Sequence, residues 1–142
     1  EGYQQMIRET ETMLAKVTGF AGCSLQPNSG AAGEYASLMV IRQYHLSRGE
    51  AHREVMLIPA SAHGTNPASC TMAGFKLLVV ASTAEGNIDV EDFRAKAVAN
   101  RDNLAGAMIP ILPLTGFLRN LSKNWRKLFM KMVGCCLWTE PI

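Results

Sequence analysis

The run Val55-Met-Leu-Ile-Pro59 limits what this chain can fold into more than any other stretch. It has no apolar/polar alternation, so a strand formed here is buried on both faces, as in a parallel sheet covered by helices. Two further apolar runs follow, Lys76–Ala81 and Gly106–Ile109, with helix signals between them. Asn66 reads as an N-cap and Pro67 as the first residue of a short helix that stops near Gly74. Gly86-Asn87 marks a turn, and Asp89 caps a helix to about Asn100, with Glu91 and Asp92 in the first turn where negative charge is favoured. Strand and helix alternate, which predicts an α/β fold with a mostly parallel sheet and helices on both faces.

Ahead of these runs, residues 3–18 predict an amphipathic helix. Met6, Met13, Leu14 and Val17 supply its apolar side, Arg8, Glu9, Glu11 and Lys16 the wet side, and Gly19 its end. Cys23–Leu25 predicts a short strand. A second helix runs from Gly30 to about Ser47, capped by Ser29 or Asn28, with Leu38, Met39, Ile41 and Leu46 as its apolar faces. Arg42, His45, Arg48 and the polar run to Arg53 form its exposed end and the next loop, so His45 and His52 read as solvated surface.

The composition sets outer bounds. The 142 residues are enough for one domain or part of a larger one, and 48% hydrophobic with 18% charged residues argues against disorder. A net charge of +2 is too small to point to nucleic acid. No apolar run approaches the roughly 20 residues of a membrane helix. Glu1-Gly-Tyr has neither an initiator Met nor a signal-like segment, and the expectation is a chain that begins inside a longer protein. Cys23, Cys70, Cys135 and Cys136 show no zinc or redox spacing, and no metal site is expected. Cys23 and Cys70, among small apolar residues, read as buried free thiols in an intracellular or organellar protein.

Two stretches carry the chemistry. Ser24-Leu-Gln-Pro-Asn-Ser-Gly-Ala-Ala-Gly-Glu-Tyr35 is a turn followed by a helix start built of very small residues. Unpaired N–H groups and the positive end of the helix dipole there favour an anion such as a phosphate. Ser61-Ala-His-Gly-Thr-Asn-Pro-Ala-Ser69 places a lone His63 beside another helix start. Each has a plain alternative: close helix–sheet packing for the glycine and alanines, a satisfied loop residue for His63. Their shared place after strands sets both at the carboxyl ends of a parallel sheet, where ligands bind in this architecture. Glu34 is a first-turn acid, or a group meeting a cofactor or a neighbouring subunit.

These two strings, with Leu38-Met-Val-Ile-Arg-Gln-Tyr-His45 between them, resemble the glycine cleavage system P protein, in its C-terminal catalytic half. The resemblance runs from about Gly2 to Ile109. It implies the aspartate-aminotransferase-like α/β fold, here a fragment (1–109) of the large domain that binds pyridoxal 5'-phosphate. The implied activity is glycine decarboxylation, an oxidoreductase reaction that passes the aminomethyl group to the lipoyl arm of the H protein. It further implies a dimer with another chain or half of that family, in the mitochondrial matrix of a eukaryote or the cytoplasm of a bacterium, with no nucleic acid or membrane partner. By match of position, Ser29, Gly30 and Ala31 hold the cofactor phosphate, His63 stacks on the pyridine ring, and Thr65 and Asn66 lie close to ring and substrate.

The same resemblance implies two groups that this chain lacks. They are the aldimine-forming Lys, in a His-Lys pair, and the pyridinium-pairing Asp, in a Met-Asp-Gly-Ala-Asn motif. No catalytic residue is therefore assigned. Residues 110–142 do not match, and Lys123–Met132 alone reads as a basic amphipathic helix suited to a membrane surface or acidic partner. A shifted reading of the codons explains the tail differently. Taking each codon's last base with the next codon's first two, Leu137-Trp-Thr-Glu-Pro-Ile142 permits Met-Asp-Gly-Ala-Asn. Trp138 has a single codon, so the Asp follows from it and Thr139. Ile109-Pro-Ile-Leu-Pro-Leu-Thr-Gly-Phe117 likewise permits the family's Thr-Tyr-Pro-Ser-Thr-His-Gly-Val. The expectation is a frameshift near Ile109, with structure beyond Met108 poorly specified. The rival readings are a non-catalytic truncated product or partner subunit, and another enzyme of the same fold such as an aminotransferase.

Overall fold

The computed structural model describes residues 1–18, 20–84, 86–110 and 137–139. Among the described residues, four helices and four strands follow in the order α1 (Gly2–Thr18), α2 (Gly30–Ser47), β1 (Val55–Pro59), α3 (Thr65–Met72), β2 (Lys76–Val80), α4 (Val90–Ala99), β3 (Leu104–Pro110) and β4 (Leu137–Thr139). The sheet order is β2-β1-β3-β4, and each neighbouring pair is parallel. The β1 run sits at the centre because it has apolar residues for both sides. Met56 and Ile58 face one layer with Leu38 and Ile41 of α2 and Cys70 of α3; Leu57 faces the other with Phe93 and Ala97 of α4. Each face thus has its own cluster, and burying a side chain of this kind contributes about 1.5–3 kcal/mol.

Local chemistry sets the boundaries. Asp89 accepts the backbone N–H groups of Glu91 at 2.9 Å and Asp92 at 3.1 Å and so starts α4, as its sequence position predicts. Gly74 at φ +82° turns the chain from α3 into β2. On the outer strand β2, the Lys96 ammonium donates to the Val79 carbonyl at 2.7 Å, and Asp92 accepts the Ala81 N–H at 2.7 Å. Those contacts blunt an edge that would otherwise offer unpaired backbone groups.

Four expectations change. Cys23–Leu25 forms no strand; the Leu25 N–H donates to the Glu11 carboxylate at 2.9 Å, a side chain taking the place of a neighbouring strand, and Ser24 Oγ accepts the Gln26 N–H at 3.3 Å. Cys23 is exposed accordingly, while Cys70 is buried. His45 is not solvated but 1% exposed. It lies on the same face of α2 as Leu38 and Ile41, and its Nε2–H donates to the Ala105 carbonyl of β3 at 2.9 Å. Finally, α3 begins at Thr65 with Gly64 as its cap, two residues earlier than an Asn66 cap requires, because the His63 carbonyl already accepts the Asn66 N–H at 3.0 Å. The expected loss of defined structure beyond Met108 lies mostly outside the described residues; Ile109, Pro110 and residues 137–139 are described, and they are in strands.

Candidate functional site

The topology carries two helix starts to one edge of the sheet. Helix α2 leads through the 48–54 loop into the amino end of β1, so its own N-terminus lies toward the carboxyl ends of the strands. Helix α3 leaves the carboxyl end of β1 directly. The two helices are tied by the Ser69 hydroxyl, which donates to the Glu34 carboxylate at 3.3 Å. Glu34 is one turn into α2 and Ser69 one turn into α3, so the tie fixes the first turns of both helices relative to each other. Glu34 therefore has a structural partner on the neighbouring helix.

At the start of α2, Ser29 is extended and its Oγ accepts the Ala32 N–H at 3.2 Å, while its carbonyl accepts the Gly33 N–H at 2.9 Å. The N–H groups of Gly30 and Ala31 remain as donors at the positive end of an 18-residue helix. The Ser29 hydroxyl proton is also free to donate, since its oxygen is the acceptor in the cap. Two N–H groups and a hydroxyl, next to side chains no larger than a methyl, suit a phosphate in both charge and size. In chemistry the residues present fit the phosphate end of the cofactor implied above.

The second stretch forms a small unit of its own. His63 Nδ1 accepts the Thr65 N–H at 3.3 Å and lies 2.5 Å from the Thr65 hydroxyl. With Nδ1 accepting, the neutral ring carries its proton on Nε2. The ring is exposed, so a flat aromatic face is open to a ligand. Asn66 is 4% exposed, packed in the first turn of α3 rather than capping it. Beside it in the fold, burial and the negative charge of Glu34 push the Cys70 thiol up to about 12, which makes it an inert packing group.

The lysines of the described core are engaged away from this edge. Lys76 opens β2 at its amino end and pairs with Glu54. Lys96 is on α4, on the opposite face of the sheet from α2 and α3, and is held by Asp92 at 2.7 Å. Sequence reasoning missed His45, whose network links α2 to β3. The signal was present in its spacing of four from Ile41 and seven from Leu38, a helical stripe that places it inward.

No family model matches the chain. Over 109 residues, 77% of the chain, it is 62% identical to glycine dehydrogenase (decarboxylating) of Flavobacterium johnsoniae. It is 60% identical to the protein of the same name from Christiangramia forsetii, again over 109 residues and 77% of the chain. The chain spans 12% of the length of each of these relatives. Among solved structures it is similar to sphingosine-1-phosphate lyase of Burkholderia pseudomallei, with a TM-score of 0.53 and 20% identity over 69% of this chain and 24% of that one. That likeness is one of fold, and it agrees with the α/β architecture expected from the sequence.

Proposed function

We propose that this chain, which belongs over 109 of its residues to the glycine dehydrogenase (decarboxylating) family, carries the phosphate-holding part of a pyridoxal 5'-phosphate site for glycine decarboxylation. The observation that supports this most is the α2 start, where the Gly30 and Ala31 N–H groups follow directly on the capping Ser29 hydroxyl without bulky side chains. When bound, the cofactor supplies an electron sink for breaking a bond at the substrate carbon. Ser29, Gly30 and Ala31 hold its phosphate, His63 offers its ring to the pyridine, and Thr65 fixes the His63 ring through Nδ1. Asn66 lines the site from the first turn of α3. In the complete protein the substrate is glycine, and the aminomethyl acceptor is the lipoyl-bearing H protein, within a dimeric assembly. Both relatives named above are bacterial, which favours a bacterial cytoplasm over a mitochondrial matrix.

The polypeptide itself is a non-catalytic portion. It lacks the cofactor-bearing Lys and the Asp that would pair with the ring nitrogen, and residues 110–142 are a frameshifted reading of the same gene. Sequencing the transcript tests that origin: an intact frame through Ile109 that encodes the tail as it stands refutes it. The site is tested by titrating the chain with pyridoxal 5'-phosphate and with pyridoxal, followed by borohydride reduction. The phosphorylated form binds at least about tenfold more tightly, Ser29→Ala removes most of that difference, and no single lysine is labelled. Equal affinity for the two ligands sinks the phosphate assignment. A reducible adduct at one defined lysine sinks the claim that the chain is non-catalytic.

A further inference from the structure

The residue after each asparagine decides how readily the next backbone nitrogen can attack its side-chain amide. Pro67 after Asn66 has no N–H to give up, and Ile88, Arg101, Leu104, Leu121 and Trp125 crowd the approach after five others. Asn28 alone precedes a small residue, Ser29.

The fold leaves that pair unprotected. Asn28 and Ser29 lie in an exposed bend between Pro27 and the first turn of α2. Among the described residues, neither the Asn28 side-chain amide nor the Ser29 N–H has a hydrogen-bond partner. Ser29 is engaged through its Oγ and its carbonyl, both as acceptors. Other asparagines are held: the Asn100 side-chain amide donates to the Lys96 carbonyl at 2.9 Å, and Asn66 is packed into α3.

We propose that Asn28-Ser29 is a site of spontaneous deamidation that disables the phosphate cradle at the start of α2. The Ser29 nitrogen loses its proton to hydroxide, and its electron pair forms a bond to Asn28 Cγ. The bond from Cγ to the side-chain nitrogen breaks, and that nitrogen takes up a proton and leaves as ammonia. Water then opens the five-membered imide at one of its two carbonyl carbons, giving an aspartate or an isoaspartate. Either product puts a carboxylate directly before Ser29. That charge suits the positive end of α2, so the helix persists. The same charge lies next to the groups assigned to the cofactor phosphate and opposes a second anion there. In the isoaspartate the backbone also gains one atom ahead of Ser29, which shifts the cap. The effect on the cofactor rests on the phosphate reading above; the modification itself does not.

Peptide mapping by mass spectrometry of the full chain, sampled during incubation at mildly alkaline pH, tests the site, since exchanging NH2 for OH adds one mass unit. Asn28 should convert at least about tenfold faster than any other asparagine, and Ser29→Val should slow it at least about fivefold in both folded and urea-unfolded chain. The folded rate should lie within about threefold of the unfolded one, because nothing in the fold shields the pair. A folded chain that keeps Asn28 intact while the unfolded chain converts overturns the proposal, as does conversion spread evenly over the asparagines. Asn28→Asp, the equivalent of one product, should keep its helix content by circular dichroism and reduce the preference for pyridoxal 5'-phosphate over pyridoxal to about threefold or less. An undiminished preference overturns the effect on the cradle. Equal affinities in the unmodified chain remove the phosphate reading and the link to it, whereas the mapping result decides the modification by itself.

Discussion

Replacing Gly74 by Ala should cost far more stability than replacing Gly49, although both glycines sit in the left-handed region. Gly49 has φ +74° with nothing within 4 Å of an added Cβ, whereas Gly74 has φ +82° with its Cβ position overlapping Arg42 Nη1 and 3.1 Å from Cζ. The conformational part is common to both and amounts to about 1 kcal/mol for Ala. At Gly74 the guanidinium must also leave, breaking the hydrogen bond that Arg42 Nη1 donates to the Ala73 carbonyl at the end of α3. A charged hydrogen bond contributes about 1.5–3 kcal/mol, and solvent exposure of Arg42 reduces this one to about 1 kcal/mol. Gly49→Ala should then cost about 1 kcal/mol and Gly74→Ala about 2 kcal/mol. Because Gly74→Ala already displaces Arg42, adding Arg42→Ala should cost little more, a non-additivity of about 1 kcal/mol. Urea unfolding of the wild type, the three single variants and the double variant, followed by far-ultraviolet circular dichroism, measures all of these. Equal losses at Gly49 and Gly74, or additive losses for Gly74 with Arg42, would refute the account.

Two other predictions rest on the same structure. The Glu50 carboxyl is held below its ordinary value of 4.5, chiefly by hydrogen bonding to His45 and then by the Arg53 and Arg48 charges. Asp92 is held below 3.8 by the Ala81 N–H and by Lys96. A depressed carboxyl contributes stability that is present above its unfolded value and lost as pH falls through its folded one, so unfolding midpoints should drop on acidification below about pH 4.5 and less steeply in Glu50→Gln. Gly106→Val should destabilise by about 1–3 kcal/mol in urea unfolding, since its Cβ would already lie 3.1 Å from Met56 Sδ and 3.2 Å from Met56 Cε in a filled layer; an unchanged midpoint would show that Met56 has room to move.

The architecture was legible where a residue's preference is local. Ser29 at the start of α2, Asp89 at the start of α4 and the all-apolar β1 each state their role through neighbours a few residues away, and the structure follows them. The candidate phosphate site was legible for the same reason: free N–H groups at a helix start depend on the helix and on small side chains, both visible in Gly30-Ala-Ala-Gly33. The third helix was less so, because a bond from the Asn66 N–H to the His63 carbonyl shifted its start.

Local preference could not decide which surfaces meet. His45 has the polarity of a surface residue, yet a carbonyl 60 residues away in sequence, at Ala105, makes its burial tolerable by accepting the ring N–H. Cys23–Leu25 has strand propensity but pairs with no strand among the described residues, and propensity alone does not satisfy backbone groups. The amphipathic pattern of α1 specified a helix with an apolar side, but not that the chain would return along its polar side through Glu11 and leave Met6, Met13 and Val17 exposed. Periodicity encodes which residues share a face. Only the packed chain determines what lies against that face, because contacts between distant residues depend on all the elements that bring them together.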